Sequence, residues 1–346
     1  MRTADMYLSG IGSVVPPVFP VELAVADGLY PALEAEAHEF LGVAVAGERP
    51  APDMALEAAQ TAVKRAGVEP TGLSLLLYTN TWHQGPDGWP PQAYLQRHLV
   101  GGRVPAMAVR QGCNGMFDAL ELAACYLRAE PERESALLVT ADNYGTPMID
   151  RWRVSPGMIG GDAAVAVVLT KNSGFARLLS VTSIAIPEGE ELHRSGEPMF
   201  PPTVTVRRPQ DFTTRAEHYR ANPPDAVGVL RQLPALMREL VETAVSEAGI
   251  GIKDVARVAF ETHSREVVEQ RVMAPLGLDM AKSTWEFGRS IGHCGAADQF
   301  LALEHLLATG ELAPGDHMLL LGQAPGVVLS AAVVQILDVP NGLFAG

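Results

Sequence analysis

"TAVKRAGVEPTGLSLLLY", residues 61–78, returns 182 positions later as "TAVSEAGIGIKDVARVAF", residues 243–260. In each copy a helix-like stretch, Met54 to Ala66 or Leu240 to Ala248, stops at a glycine, Gly67 or Gly249. Glycine most easily takes the left-handed turn that closes a helix. A short apolar run follows, Leu73 to Tyr78 or Val255 to Phe260, and reads as a buried strand. A second pair keeps nearly the same offset: "FDALELAACYLRAEPERESALLVTA", beginning at Phe117, against "FLALEHLLATGELAPGDHMLLLGQA", beginning at Phe300. A third closes each copy, "GGDAAVAVVLT" against "APGVVLSAAVVQI". Three ordered matches predict two similar α/β halves, residues 1–175 and 225–346, joined by a connecting or cap segment over 176–224. Within the connector, Pro187 to Asp225 is rich in Pro, Arg and Glu and carries little periodicity. It is too long for a bare connection and is expected to be a cap or binding loop.

Composition narrows the function classes. The chain has 346 residues, 47% of them apolar, and a net charge of −14. That charge argues against a nucleic-acid partner, which needs a basic face. Three cysteines make no disulfide framework. The N-terminal "MRTADMYLSGIGS" lacks the apolar core of a signal peptide, and no apolar run reaches the length of a membrane span. A cytoplasmic, membrane-free protein is expected, with no metal.

The duplication brings two turns into correspondence. "RQGCNGMFDALELA" places Cys113 between a strand-like run and a helix-like one, and Gly112-Cys113 falls opposite Gly295-Ala296. A cysteine just before a helix lies near unpaired backbone N–H groups, which favour thiolate. Alone, such a cysteine reads as packing; Cys125, in "LAACYL", is expected to be that, on an apolar helix face. A nucleophilic cysteine needs a base held by a third group. Most of the nine histidines read as solvated or nonspecific: His38, His98, His305 and His317 on polar helix faces or loops, His193 and His218 in the cap, His83 in a Gly/Pro-rich loop. Two stand out. His293, in "SIGHCGAADQ", opposes the Cys113 turn in the repeat register, and Asp298 follows at the start of a helix. Asp298 reads both as a first-turn acid and as the acceptor that orients His293. His263, in "VAFETHSRE", follows a buried strand, where α/β folds place site residues. Cys294 is expected to pack.

These segments resemble the ketoacyl-acyl-carrier-protein synthase III group of the thiolase superfamily over nearly the whole chain: "YLSGIGSVVPP", "DMALEAAQTAVKRAGV", "GCNGMFDALELA" with its nucleophile Cys113, and "GGDAAVAVVLT". The resemblance implies an α/β fold, a five-layer αβαβα sandwich of two duplicated halves, usually a homodimer. It implies an acyl-CoA or acyl-carrier-protein thioester as co-substrate and no resident cofactor. The chain departs from the family where a His-Gln-Ala-Asn motif is replaced by His263-Ser264-Arg265-Glu266, and where His293 stands at the position of the next catalytic residue, an asparagine. Those departures resemble a branch acting in polyketide tailoring or priming, which includes anthracycline starter-unit enzymes and the malonyl transferase of cervimycin biosynthesis. Condensation needs neutral donors for an enolate; acyl transfer to an alcohol needs a base. The expectation is therefore an acyltransferase of antibiotic biosynthesis. It would move an acyl group, malonyl or similar, through acyl-Cys113 to a hydroxyl of a sugar or polyketide glycoside, with Cys113, His293 and Asp298 as a triad and His263 accessory. The alternative is a carbon–carbon-bond-forming synthase, or a starter-unit enzyme priming a carrier protein. The resemblance further implies an oxyanion hole from the backbone N–H of Cys113 and a second N–H in "QAPGV"; Pro325 has none, so Gly326 or Ala324 supplies it. Arg151, Trp152 and Arg153 are candidates for the donor's pantetheine and phosphates. Either they or Arg207-Arg208 could hold an acyl carboxylate.

Overall fold

The computed structural model describes residues 1–222 and 226–343. The first half runs β1 (Arg2–Val14), β2 (Val18–Pro20), α1 (Val21–Ala26), α2 (Ala32–His38), β3 (Gly42–Ala44), α3 (Ala51–Ala66), β4 (Leu75–Thr79), α4 (Pro91–Leu95), β5 (Ala106–Val109), α5 (Gly115–Arg128), β6 (Ser135–Asp142) and β7 (Ala163–Thr170). The second continues through β8 (Ala176–Ala185), α6 (Phe212–Ala221), α7 (Ala226–Ala248), β9 (Val255–Ala259), α8 (Arg265–Val268), α9 (Trp285–Gly288), α10 (Asp298–Ala308), β10 (His317–Ala324) and β11 (Val328–Ile336). Hydrogen bonding links nine strands in the order β5-β4-β6-β7-β1-β8-β11-β10-β9. Read outward from its centre, β1-β7-β6-β4 is mirrored by β8-β11-β10-β9. The parallel pair β4–β6 has its counterpart in the parallel pair β9–β10.

Five layers result. Helix α3 covers the outer face of β1, β6 and β7, and α7 covers β8 and β11. Between the two halves of the sheet lie α5, which touches β4 and β6 on one side and β8 and β11 on the other, and α10, which touches β1 and β9. Both faces of each central strand are therefore covered, so the strands read as continuous apolar runs. In β6, Leu137 and Val139 pack with Met54 and Ala58 of α3, while Ala136 and Leu138 face the middle layer with Phe117 and Phe300. In β10, Leu319 and Leu321 join Leu240 and Val241 of α7, while Met318 and Leu320 turn inward. Each large side chain so buried stabilises the fold by about 1.5–3 kcal/mol. The predicted helix ends hold: Gly67 closes α3 at φ 65° and Gly249 follows α7 at φ 75°.

Three expectations are corrected. The connector does not begin at 176: Ala176–Ala185 is β8, hydrogen-bonded between β1 and β11, so it belongs to the sheet. The cap carries one α-helix, α6, started by Asp211, whose carboxylate accepts the Thr214 N–H at 2.9 Å. It escapes sequence pattern because only Tyr219 along it is buried, leaving no apolar stripe to read. Cys125 is exposed rather than on the apolar face of α5; that face is filled at Met116, Leu120, Ala123, Ala124 and Leu127, a helical spacing that passes Cys125 by. His317 opens strand β10 instead of lying on a helix or loop. Asp225, the expected start of the second half, lies outside the described residues. Among those residues, no helix is long and apolar enough to cross a membrane.

Candidate active site

Cys113 sits in a one-turn 3-10 segment, Gly112–Asn114, that leads into α5. Gly112 has φ 52°, and a Cβ there would meet Pro325 Cδ at 2.9 Å; the positive φ and the close approach together call for glycine. Asn114 is fully buried and donates to Val328 O and Ser330 Oγ at 3.0 and 2.9 Å, fixing the turn to the second half. The corresponding segment, Gly295–Ala297, is also a 3-10 turn leading into a buried helix, and Gly295 has φ 61°.

Between the turns a hydrogen-bonded chain runs from sulfur to carboxylate. Cys113 Sγ lies 3.0 Å from His293 Nε2, and His293 Nδ1 lies 2.7 Å from Asp298 Oδ2. A carboxylate only accepts, so Nδ1–H donates. The Asp298 carboxylate also accepts backbone N–H groups from Thr262 and Cys294, each at 2.6 Å. His293 is held by its own backbone, which donates to Ile159 O and accepts from Gly161 N, both at 2.8 Å. The "GGDA" segment of the first half thus clamps the histidine of the second. Burial alone would push the His293 imidazole down, but the adjacent charges of Cys113 and Asp298 outweigh it and hold its pKa well above the ordinary histidine range. Cys294 packs as expected: it is buried, its Sγ is 3.6 Å from Gly292 O, and burial raises its thiol pKa well above the usual value.

Cys113 and His293 open onto a cavity of about 500 Å³. Its walls come from the first half (Trp82, Tyr144), the cap (His193, Phe212) and the second half (Glu261, His263). The cap therefore does cover the site.

The model of 3-oxoacyl-[acyl-carrier-protein] synthase III matches residues 107–185, and that of its C-terminal part matches residues 245–336. The solved structure of ChlB3, an acyltransferase, is 56% identical over 96% of this chain and 98% of its own, with a TM-score of 0.92. The chain belongs to the 3-oxoacyl-[acyl-carrier-protein] synthase III family. It is an enzyme of this acyl-transferring group. A β-ketoacyl-[acyl-carrier-protein] synthase III from Streptomyces coelicolor is 28% identical over 82% of each chain. The synthase III structure from Aquifex aeolicus, at 19% identity and TM-score 0.77 over 95% of this chain and 99% of its own, shares the fold.

The other expected residues have partners within the fold. Arg151 pairs with buried Asp162 at 3.0 Å and donates to Gly160 O at 3.0 Å, so its guanidinium holds the fold. Trp152 is buried and stacks on Tyr30 with ring centroids 5.6 Å apart. Arg153 pairs with Asp150 at 2.8 Å. These three border a second cavity of about 450 Å³, separated from the first by Tyr144 and Ile149, which line both. Arg208 pairs with Glu197 on the surface of the cap. The N–H of Gly326 is not free: it donates to His193 Nδ1 of the cap at 3.4 Å. Burial first, then the nearby charge of Arg215, pushes the His193 pKa down to about 4, so the ring stays neutral and able to accept. Val327, next in this turn, has φ 54° while fully buried, a strained state for a β-branched residue.

Two buried carboxylates escaped the sequence reading. Asp142, at the end of β6, accepts the N–H of Trp82 at 2.7 Å and of Thr81 at 2.9 Å and so shapes the cavity wall. Burial pushes its pKa up to about 7 against those hydrogen bonds. Glu261, just past β9, accepts the Gln323 N–H at 2.7 Å. Each is an acidic residue ending an apolar strand run, a signal legible in "VTAD" and "VAFE".

Proposed function

We propose that the protein is an O-acyltransferase working by ping-pong transfer through Cys113. The carrying observation is the unbroken Cys113–His293–Asp298 chain, with its 3.0 and 2.7 Å links. The thiolate of Cys113 attacks the carbonyl carbon of an acyl-CoA or acyl-carrier-protein thioester, and the departing thiolate takes the proton from His293. Acylation removes the negative charge that held this proton, so the freed Nε2 becomes a base. It takes the proton of an acceptor hydroxyl as that oxygen attacks the Cys113 thioester. The Cys113 thiolate then leaves and the resting pair re-forms. Asp298 fixes the tautomer and balances the imidazolium.

Glu261 favours this reading over carbon–carbon bond formation. A buried carboxylate 3.8 Å from His263 Nε2 opposes an enolate developing beside that histidine, whereas in acyl transfer the charge develops at the Cys113 carbonyl and the proton goes to His293. The 56% identity to an acyltransferase agrees in class. The acceptor is a hydroxyl of a sugar or polyketide glycoside, the acyl group malonyl or similar, and the setting antibiotic biosynthesis in a cytoplasmic homodimer. The Cys113 N–H is one oxyanion donor, joined by Gly326 when His193 yields its N–H. Intact-mass analysis after incubation with malonyl-CoA tests this. The expected result is one acyl adduct on the wild type, none on Cys113→Ala, and an intact ester on added alcohol. Carbon dioxide release with chain extension would instead establish condensation.

A further inference from the structure

The cavity holds a second histidine–carboxylate pair that the triad does not use. Glu261 is 3% exposed. Its Oε2 is occupied by the Gln323 N–H, and its Oε1 faces His263 Nε2 across 3.8 Å. That separation is too long for a direct hydrogen bond. The His263 ring is held by stacking on Phe260, 6.1 Å between centroids at 22°, and by its backbone oxygen, which accepts from Trp285 Nε1 at 3.2 Å. On its far side Nδ1 is sealed from solvent with no partner among the described residues. Leaving a buried N–H unpaired costs more than leaving a lone pair, so the proton of the neutral ring belongs on Nε2. Neither Nε2 nor Oε1 is sealed in this way, and both residues line the cavity.

The cavity wall therefore presents a donor, His263 Nε2–H, beside a charged acceptor, Glu261 Oε1, with a gap between them. An alcohol oxygen about 2.8 Å from each spans 3.8 Å, accepting from one and donating to the other. A thioester carbonyl or an ether can only accept and would face the carboxylate without a proton to offer. We propose that Glu261 and His263 form a recognition notch for a second, non-reacting hydroxyl of the acceptor, so that the preferred acceptor is a diol. This deepens the O-acyl transfer reading and rests on it.

The test is discharge of purified malonyl-Cys113 enzyme by three alcohols: trans-cyclohexane-1,2-diol, its monomethyl ether trans-2-methoxycyclohexanol, and cyclohexanol. The wild type is expected to discharge to the diol roughly tenfold faster than to the ether, the worth of one hydrogen bond to a charged group. Glu261→Gln has a single side-chain oxygen, which the Gln323 N–H claims, so its NH₂ turns into the notch and the ratio should fall to near parity. The ratio is taken within each protein and cancels differences in the amount of acyl-enzyme. If Glu261→Gln does not fold, Glu261→Met replaces it. Parity in the wild type, or a tenfold preference surviving in the variant, overturns the notch while leaving acyl transfer intact. Failure of the wild type to form the adduct, or of every alcohol to outpace water, overturns the O-acyl transfer reading and the notch with it.

Discussion

The turns at Gly112–Asn114 and Gly295–Ala297 share a backbone and differ in chemistry. Both begin at a positive-φ glycine, both are single 3-10 turns, and both feed a buried helix whose phenylalanine, Phe117 or Phe300, is fully enclosed. In the first, the residue after the glycine is Cys113. In the second it is Ala296, and the polar groups stand two positions before the glycine, at His293, and three after it, at Asp298. The frame is thus symmetric and its side chains are not: one half places the sulfur, the other the imidazole and carboxylate that reach it.

That division can be broken at its strongest link. In the proposed transfer His293 is the base, so His293→Ala should slow discharge of the acyl-enzyme to alcohol by about 10²–10⁴-fold, while acylation of Cys113 continues at a reduced rate. Asp298→Asn should do the same with an effect roughly tenfold smaller, because the imidazole remains and only its tautomer and charge balance suffer. Single-turnover measurements of the two half-reactions check both, and unimpaired transfer by His293→Ala would refute its role.

A milder perturbation probes how the cap is tied to the second-half loop. His193 is pushed down to about 4, below its ordinary value near 6.5, so the unfolded chain binds a proton that the folded one refuses. Stability from this group is therefore present above the ordinary histidine pKa and lost as pH falls from there toward 4. The thermal midpoint should drop across that window, and His193→Gln should drop less steeply. The smallest expected effect sharpens the asymmetry itself. Ala296→Cys, placed on Cys113→Ala, puts a thiol at the equivalent position of the other turn, where the residue is fully buried. Intact-mass analysis should find no acyl adduct on it.

Much of this was legible in the chain. Glycine-terminated helices and two-sided apolar strands imprint local periodicities, and duplication imprints them twice, so the two halves, the turn at Cys113 and the opposing His293 and Asp298 could all be read. What failed to read had no local pattern. Helix α6 has polar faces nearly all round, and β8 lies outside the three repeated segments, so its place in the sheet comes only from pairing with β1 and β11. Arg151 reads as a free cation until Asp162 is brought beside it, and Gly326 reads as a free donor until His193 of the cap reaches it. The sequence by itself determined which residues could do chemistry and that two matching turns carry them, because those facts lie in residue type and spacing. Only the tertiary structure decided which of the candidates are free to act. A buried carboxylate, guanidinium or backbone N–H takes whatever partner the fold brings within hydrogen-bond reach, and partners such as Arg151–Asp162, Gly326–His193 and Glu261–Gln323 come from segments far apart in the chain.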